Sequence, residues 1–339
     1  MNSKELLEKL LHKTDLTGDE IKFFLNEFIA GNINEFQMTA FLIALRMKGE
    51  TIEEITGLIR GMREHMISFP EFPKAFDTCG TGGDGTGTFN ISTTVAFVVA
   101  GAGVPVIKHG NKAASSLCGS ADVLSQLGVN IILTPSDAQA VFEKTGMVFL
   151  FAPLYHPAMK HIVPIRKALG TRTVFNYLGP FLNPARVKRQ IIGVPNLEIA
   201  KTLADVAAQL SYDHLLLVTG ASCMDEIDTT DTSTSFEIKG KTVSTKIVDP
   251  QKFGFRKVSL GEIRGGDIVE NAQIIRSILR GEKNAKRDIV VLNSAYALYI
   301  SGIVDDVKKG IVVAKESIDS GAAHMVLEKL VIESKKYEK

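Results

Sequence analysis

The sequence predicts an α/β protein: a small all-helical N-terminal domain, then a large α/β domain with a mostly parallel central sheet. Three observations carry this expectation. Apolar residues recur at helical spacing from Ser3 to Ile67. From Phe76 onward, strand-like runs alternate with helical ones, the pattern of a parallel sheet covered on both faces. Between these regions lies CGTGGDGTGTFNISTT, residues 79–94, with five glycines from Gly80 to Gly87 at a strand-to-helix junction.

In the first region Leu6, Leu7, Leu10 and Leu11 predict one helix, and Ile21, Phe24, Leu25 and Phe28 a second. Met38, Phe41, Leu42 and Leu45 predict a third, and Ile52, Ile55, Ile59 and Met62 a fourth. Thr17 with Glu20 and Thr51 with Glu54 have capping-box spacing. SFPEFPKAF, residues 68–76, interrupts the period with two prolines. The expected domains are therefore 1–70 and 71–339. In the second, strands are expected at KAFDTC, GVPVIKHG, GMVFLFAP, RQIIGVP and DHLLLVTG, with helices such as SADVLSQLGV and EIAKTLADVAAQL between them. TSTSFEIKGKTVSTKIV reads as a hairpin turning at Lys239-Gly240, and GGDIVENAQIIRSILRG returns to helix.

Thirty-nine basic and 38 acidic residues leave a formal charge of +1, and the chain has no Trp and six Tyr. A nucleic-acid or anionic-membrane surface would need a basic stripe, so neither partner is expected. Three cysteines without CxxC spacing suit reduced thiols in a cytoplasmic protein. The charged, amphipathic start is unlike a signal peptide, and no segment offers eighteen uncharged apolar residues.

A glycine cluster this dense brings backbone N–H groups toward an anion, and a following helix adds its dipole. GTGGDG formally fits a dinucleotide fingerprint, but the next strand ends in Lys108 where a ribose-binding acid belongs. The Walker loop fails as well, because Gly-Thr-Phe stands in place of Gly-Lys-Ser/Thr. Two further clusters suit a polyphosphate with a metal. KHGNKAASSLCGSADVL, beginning at Lys108, combines cationic and hydroxyl donors, including Ser115 and Ser116. Asp225-Glu226, in TGASCMDEIDTTD, offers adjacent carboxylates after a strand; alone such a pair is more often a solvated surface feature, but beside a phosphate loop it suits Mg²⁺, which takes one or two carboxylates.

These clusters, with FQMTAFLIALRMKGET and the block HPAMKHIVPIRKALGTRTVFNYLGPFLNPA at 156–185, resemble the anthranilate phosphoribosyltransferases of tryptophan biosynthesis along nearly the whole chain. The resemblance implies the fold shared with pyrimidine nucleoside phosphorylases, whose reaction is the alternative. It also implies transfer of a phosphoribosyl group from phosphoribosyl pyrophosphate (PRPP) to anthranilate, with Mg²⁺, two ions per subunit. By resemblance, PRPP would meet Gly80, Gly83, Asp84, Thr88, Asn90, Ile91, Ser92, Thr93, Lys108 and Ser120. Anthranilate would meet Gly80, His109, Asn111 and Arg166, and the metal would sit on Ser92, Asp225 and Glu226. Two positions depart from the family pattern: Lys112 replaces the usual Arg, and ASCM replaces a glycine-rich approach to Asp225. His109, His156 and His161 are available bases, but a neutral amine attacking as pyrophosphate departs needs no dedicated acid or base. A homodimer through the N-terminal helices is expected, since Phe24, Phe28, Phe41 and Leu45 look too many for about 65 residues to bury alone.

Overall fold

The computed structural model describes residues 2–113 and 117–338. Along the chain come α1 (Ser3–Leu11), α2 (Gly18–Ile29), α3 (Glu35–Lys48) and α4 (Ile52–Glu64). Then follow β1 (Phe76–Gly80), α5 (Ile91–Gly101), β2 (Val106–Gly110), α6 (Ser120–Gln126), α7 (Pro135–Thr145) and β3 (Met147–Phe151). Next are α8 (Ala152–Tyr155), α9 (Met159–Leu169), β4 (Arg189–Gly193), α10 (Leu197–Ala208), β5 (His214–Gly220), β6 (Ser233–Lys239) and β7 (Thr242–Val248). Finally come α11 (Ile268–Leu279), α12 (Ala285–Ser301), α13 (Val307–Asp319) and α14 (Ala322–Lys335).

These elements form two compact units, Met1–Ser68 with Pro153–Pro184, and Phe69–Ala152 with Ala185–Lys339. The sequence expectation assigned everything from residue 71 to the α/β domain. In the structure the segment 153–184 packs with the N-terminal helices instead.

Three of the four N-terminal helices begin with reciprocal capping boxes, Thr17/Glu20, Asn34/Gln37 and Thr51/Glu54. Glu54 does more than cap. Fully buried, it also accepts the Leu16 N–H at 2.9 Å and pairs with Lys48 at 3.0 Å, which joins three helix termini at one carboxylate. Phe24 stacks on Phe41 with centroids 3.9 Å apart, and Phe28 meets the edge of His161. Phe24, Phe28, Phe41 and Leu45 are all buried within the single chain. The apolar side chains expected to drive dimerisation are thus covered within the single chain, so an interface through these helices would need other residues.

The second unit is built on one seven-stranded sheet, in the order β3-β2-β1-β4-β5-β6-β7. Strands β1 to β5 run parallel, while β6 and β7 are the expected antiparallel hairpin, turning through Gly240 at φ +58°. From β1 the chain winds outward through β2 to β3, then crosses back to place β4 on the other side of β1. The β1/β4 boundary is therefore a topological switch point, where a crevice opens beyond the carboxyl ends of the strands. Helix α5 leads from this crevice into the core. It is buried on nearly every side, and Gly101 lets Ala323 approach so closely that a Cβ would lie 2.6 Å from its nitrogen.

On the hairpin, buried Glu237 accepts hydrogen bonds from Tyr299 Oη at 2.7 Å and His214 Nε2 at 2.9 Å, with Lys239 at 2.9 Å and Lys246 at 3.0 Å as ion pairs. Burial alone would raise its pKa, but Tyr299, then the lysines and His214, outweigh it and hold the carboxyl far below its usual value. His214 is lowered by its own burial, so it donates as a neutral imidazole. A depressed carboxyl pKa contributes stability that is present above the unfolded value of about 4.3 and lost as pH falls through the folded one. Glu237→Gln is expected to cost about 1.5–3 kcal/mol in urea denaturation at pH 7 and less at pH 3. Equal losses at both pH values would contradict this.

Candidate active site

The glycine loop leaves β1 at Gly80. Gly82, Gly83, Gly85 and Gly87 all have φ between 68° and 73°, a conformation that costs a side chain roughly 1–2 kcal/mol each. Four such positions in six residues explain why the stretch is so rich in glycine. Asp84 braces the loop from within, accepting the Thr86 N–H at 3.1 Å and its hydroxyl at 2.6 Å. The loop ends at Thr88, and Asn90 opens α5.

Two strand-end glycines, paired in register across the switch point, make room for Asp225. A Cβ on Gly80 would lie 2.0 Å from Asp225 Oδ2, and one on Gly193 would lie 1.6 Å from the Asp225 carbonyl oxygen. Asp225 Oδ2 accepts the Gly82 N–H at 2.8 Å, and Glu226 Oε1 accepts the Ser92 N–H at 3.0 Å, so one carboxylate is tied to the glycine loop and the other to the start of α5. Burial, then the neighbouring Asp84 carboxylate, pushes the pKa of Asp225 upward. Burial, then Asp225, does the same for Glu226. Carboxylates crowded together out of water lower their energy by taking up a cation.

No three His, Cys, Asp or Glu side chains form a closed metal cage among the described residues. Mg²⁺ does not need one, since it takes one or two carboxylates and completes its shell with phosphate oxygens and water. The donors present therefore fit it. Orphaned polar atoms in the same place point to a ligand as well: Asn90 Oδ1 and Thr93 Oγ1, at the start of α5, are buried without a hydrogen-bond partner.

Lys108 lies differently from expectation. The sequence suggested a cation presented to phosphate at a strand end, whereas Lys108 is only 1 % exposed, donates to the Thr78 carbonyl and stands 3.5 Å from Ser92 Oγ. It acts beneath the site, balancing Glu226. His109 is buried in β2 with its backbone N–H directed at Asp77 Oδ1, 3.4 Å away. Asn111 caps its neighbour, accepting the Lys112 N–H at 2.8 Å, while its carbonyl accepts the Ser120 hydroxyl at 3.3 Å. Ser115 and Ser116 lie outside the described residues. Ile91 is buried in the first turn of α5. Cys79, on β1, has its thiol pKa raised by burial and then by Asp77, so it is no nucleophile.

Arg166 belongs to the other unit, on α9. Burial lowers its pKa, and among the described residues its guanidinium has no hydrogen-bond or ion-pair partner. His156, in the same unit, is pushed down to about 4 by burial and stays neutral at working pH.

Sequence reasoning missed Asn293. From the middle of α12 it accepts the Ile227 N–H and donates to the Ile227 carbonyl, both at 2.9 Å. Asp228 completes the turn, accepting the Thr230 N–H at 2.6 Å and the Ser222 hydroxyl. The ASCM approach turns through Cys223 in a left-handed conformation, φ +62°, where a glycine would be unstrained. Nothing local in the sequence marks Asn293, because its partner lies 66 residues away.

A phosphate-type loop at a switch point, beside paired acids, defines an enzyme acting on a phosphorylated substrate, and the comparisons specify which. A family model described as the a/b domain of a glycosyl transferase family matches residues 73–324, and its helical bundle partner matches 4–66. The chain is 48% identical over 321 residues to an anthranilate phosphoribosyltransferase of Thermoanaerobacter sp. (strain X514), covering 94% of this chain and 95% of that one. The crystal structure of the Thermus thermophilus enzyme of the same name superimposes with a TM-score of 0.92 at 34% identity, covering 99% of this chain and 100% of that one. The Saccharomyces cerevisiae enzyme in complex with PRPP and Mg does so with 0.91 at 30% identity, covering 98% of each. The chain belongs to the anthranilate phosphoribosyltransferases of this glycosyl transferase family.

Proposed function

We propose that this protein transfers the phosphoribosyl group of PRPP to the amine of anthranilate, giving N-(5-phosphoribosyl)anthranilate and pyrophosphate, a step of tryptophan biosynthesis. The observation that carries the reading is the seat of Asp225 between Gly80 and Gly193, under a loop of left-handed glycines. Pyrimidine nucleoside phosphorolysis on the same fold needs no carboxylate pair, so Asp225 and Glu226 favour the transfer.

The phosphorylated sugar would lie along Gly80, Gly83, Asp84 and Thr88 and reach the start of α5 at Asn90, Ile91, Ser92 and Thr93. The dipole at the start of α5 suits a phosphate. Ser120 and the buried charge of Lys108 complete the set. Mg²⁺ would be held by Ser92, Asp225 and Glu226, and when bound would neutralise pyrophosphate and stabilise the charge it carries away. With Asp84, three carboxylates are more than one ion requires, which supports two ions per subunit.

As the bond from C1 of the ribose to pyrophosphate lengthens, the residues of this chain hold both ends of the donor fixed, and the anthranilate nitrogen lone pair attacks C1 from the opposite face. The amine is already neutral and nucleophilic, so no side chain must first remove a proton. Gly80, His109 and Asn111 would border the acceptor, and Arg166 would bind its carboxylate. An unpaired, half-buried guanidinium is suited to that partner. Arg166→Ala should raise the KM for anthranilate by about tenfold or more and leave that for PRPP within twofold. A rise confined to PRPP would sink both the assignment and the acceptor model.

We assign the protein to the cytoplasm, in keeping with its three free cysteines, and to a homodimer through the N-terminal helices. Phe36, Ala40, Ile43 and Met47 follow i, i+4, i+7, i+11 on α3, and Phe36 and Met47 are 76 % and 79 % exposed. Phe36→Glu should shift sedimentation from dimer toward monomer; an unchanged dimer would place the interface elsewhere. Among the described residues, no helix is long and apolar enough to cross a membrane.

A further inference from the structure

The turn before α11, residues 264–267, has no part in the site as assigned so far, yet it is built against the glycine loop. Arg264 forms an antiparallel bridge with Thr88, and the Gly265 N–H donates to the Gly87 carbonyl at 2.9 Å. Gly265 permits that approach, since a Cβ there would lie 2.7 Å from Phe89 Cα and 2.5 Å from Asn271 Oδ1. Buried Asn271 fixes the turn from the other side, accepting the Gly266 N–H at 3.0 Å and donating to the Gly266 carbonyl at 3.3 Å.

Main-chain bonds and Asn271 thus hold the turn, and its Arg264 side chain is left over. The side chain is exposed, and among the described residues it has no hydrogen-bond or ion-pair partner. Its Nε stands 3.7 Å from where a Cβ on Gly87 would be. Lys108, the cation the sequence offered to the phosphates, is buried and committed to the Thr78 carbonyl. Meanwhile Asp84, Asp225 and Glu226 make the local charge acidic, and PRPP is itself a polyanion. An exposed cation beside the loop would add to the buried charge of Lys108, and a guanidinium presents a planar fork of donors that matches phosphate oxygens.

We propose that Arg264 is a substrate-binding residue, contacting a phosphate group of PRPP as it lies on the glycine loop. The proposal rests on the PRPP reading above. Because the turn is held without the guanidinium, truncating the side chain removes the charge and leaves the loop in place.

The test is calorimetric titration of PRPP, with Mg²⁺ present, into wild type, Arg264→Ala and Arg264→Lys, together with thermal melts and the anthranilate KM. Arg264→Ala should bind PRPP about tenfold or more weakly, with Arg264→Lys intermediate. Melting temperatures should be unchanged and the anthranilate KM within twofold. Wild-type affinity in both variants would overturn the role of Arg264 while leaving the PRPP reading intact. Equal losses in both variants with a lowered melting temperature would also overturn it, by showing a role in the fold. Failure of the wild type itself to bind PRPP would overturn the reading on which the proposal rests.

Discussion

Asp225→Asn is expected to lower kcat/KM by about 10²–10³-fold at limiting Mg²⁺ and to leave the fold intact. The asparagine keeps an oxygen for the Gly82 N–H, now 2.8 Å from Asp225 Oδ2. It also removes a buried charge whose pKa is raised by burial and by Asp84, so the protein without metal should melt no lower than wild type. What disappears is a negative oxygen for a hard cation. The activity curve against Mg²⁺ should shift to higher concentration, and excess Mg²⁺ should restore part of the rate. The anthranilate KM should barely change. Superimposable Mg²⁺ curves would remove Asp225 from the metal site and leave Ser92 and Asp84 to be tested.

Gly193→Ala should be nearly as damaging for a steric reason. The new methyl group would stand 1.6 Å from the Asp225 carbonyl oxygen and 2.3 Å from its carbonyl carbon, so the backbone of the acidic turn must move. The turn cannot give way freely. Asn293 grips Ile227 through two hydrogen bonds, and the Gly220 N–H donates to the Met224 carbonyl at 2.9 Å. Overpacking of this kind costs about 1–3 kcal/mol of stability, and an ångström of displacement at a reacting centre can cost about 10²-fold in rate. A large loss of kcat with only a modest fall in melting temperature is expected. Wild-type kcat in a folded Gly193→Ala protein would mean that the position of Asp225 is unimportant.

Features written into neighbouring residues were legible in the sequence. The capping pairs Thr17/Glu20 and Thr51/Glu54, the hairpin at Lys239-Gly240, the parallel strands and the left-handed glycines all depend on local spacing or local backbone freedom. Features that depend on distant partners were hidden. Helical periodicity gives α9 an apolar face but does not say which core that face joins, so segment 153–184 was placed with the sheet. The same gap made Phe24, Phe28, Phe41 and Leu45 look surplus when they are buried within the chain. Lys108 was read as a cation offered to phosphate from a strand end, and only the packing of β1 against α5 shows that it is buried beneath the site. Gly193, Asn293 and Arg264 were passed over because each acts on a residue at least thirty positions away.

The most direct measurement is the fluorescence of anthranilate in a three-way omission experiment with PRPP, Mg²⁺ and protein. Loss of the signal, with pyrophosphate released in equal amount, is expected only when all three are present, because the glycine loop and the paired acids must act on one leaving group. No loss with folded wild-type protein, or a loss that proceeds without PRPP, would contradict phosphoribosyl transfer to anthranilate.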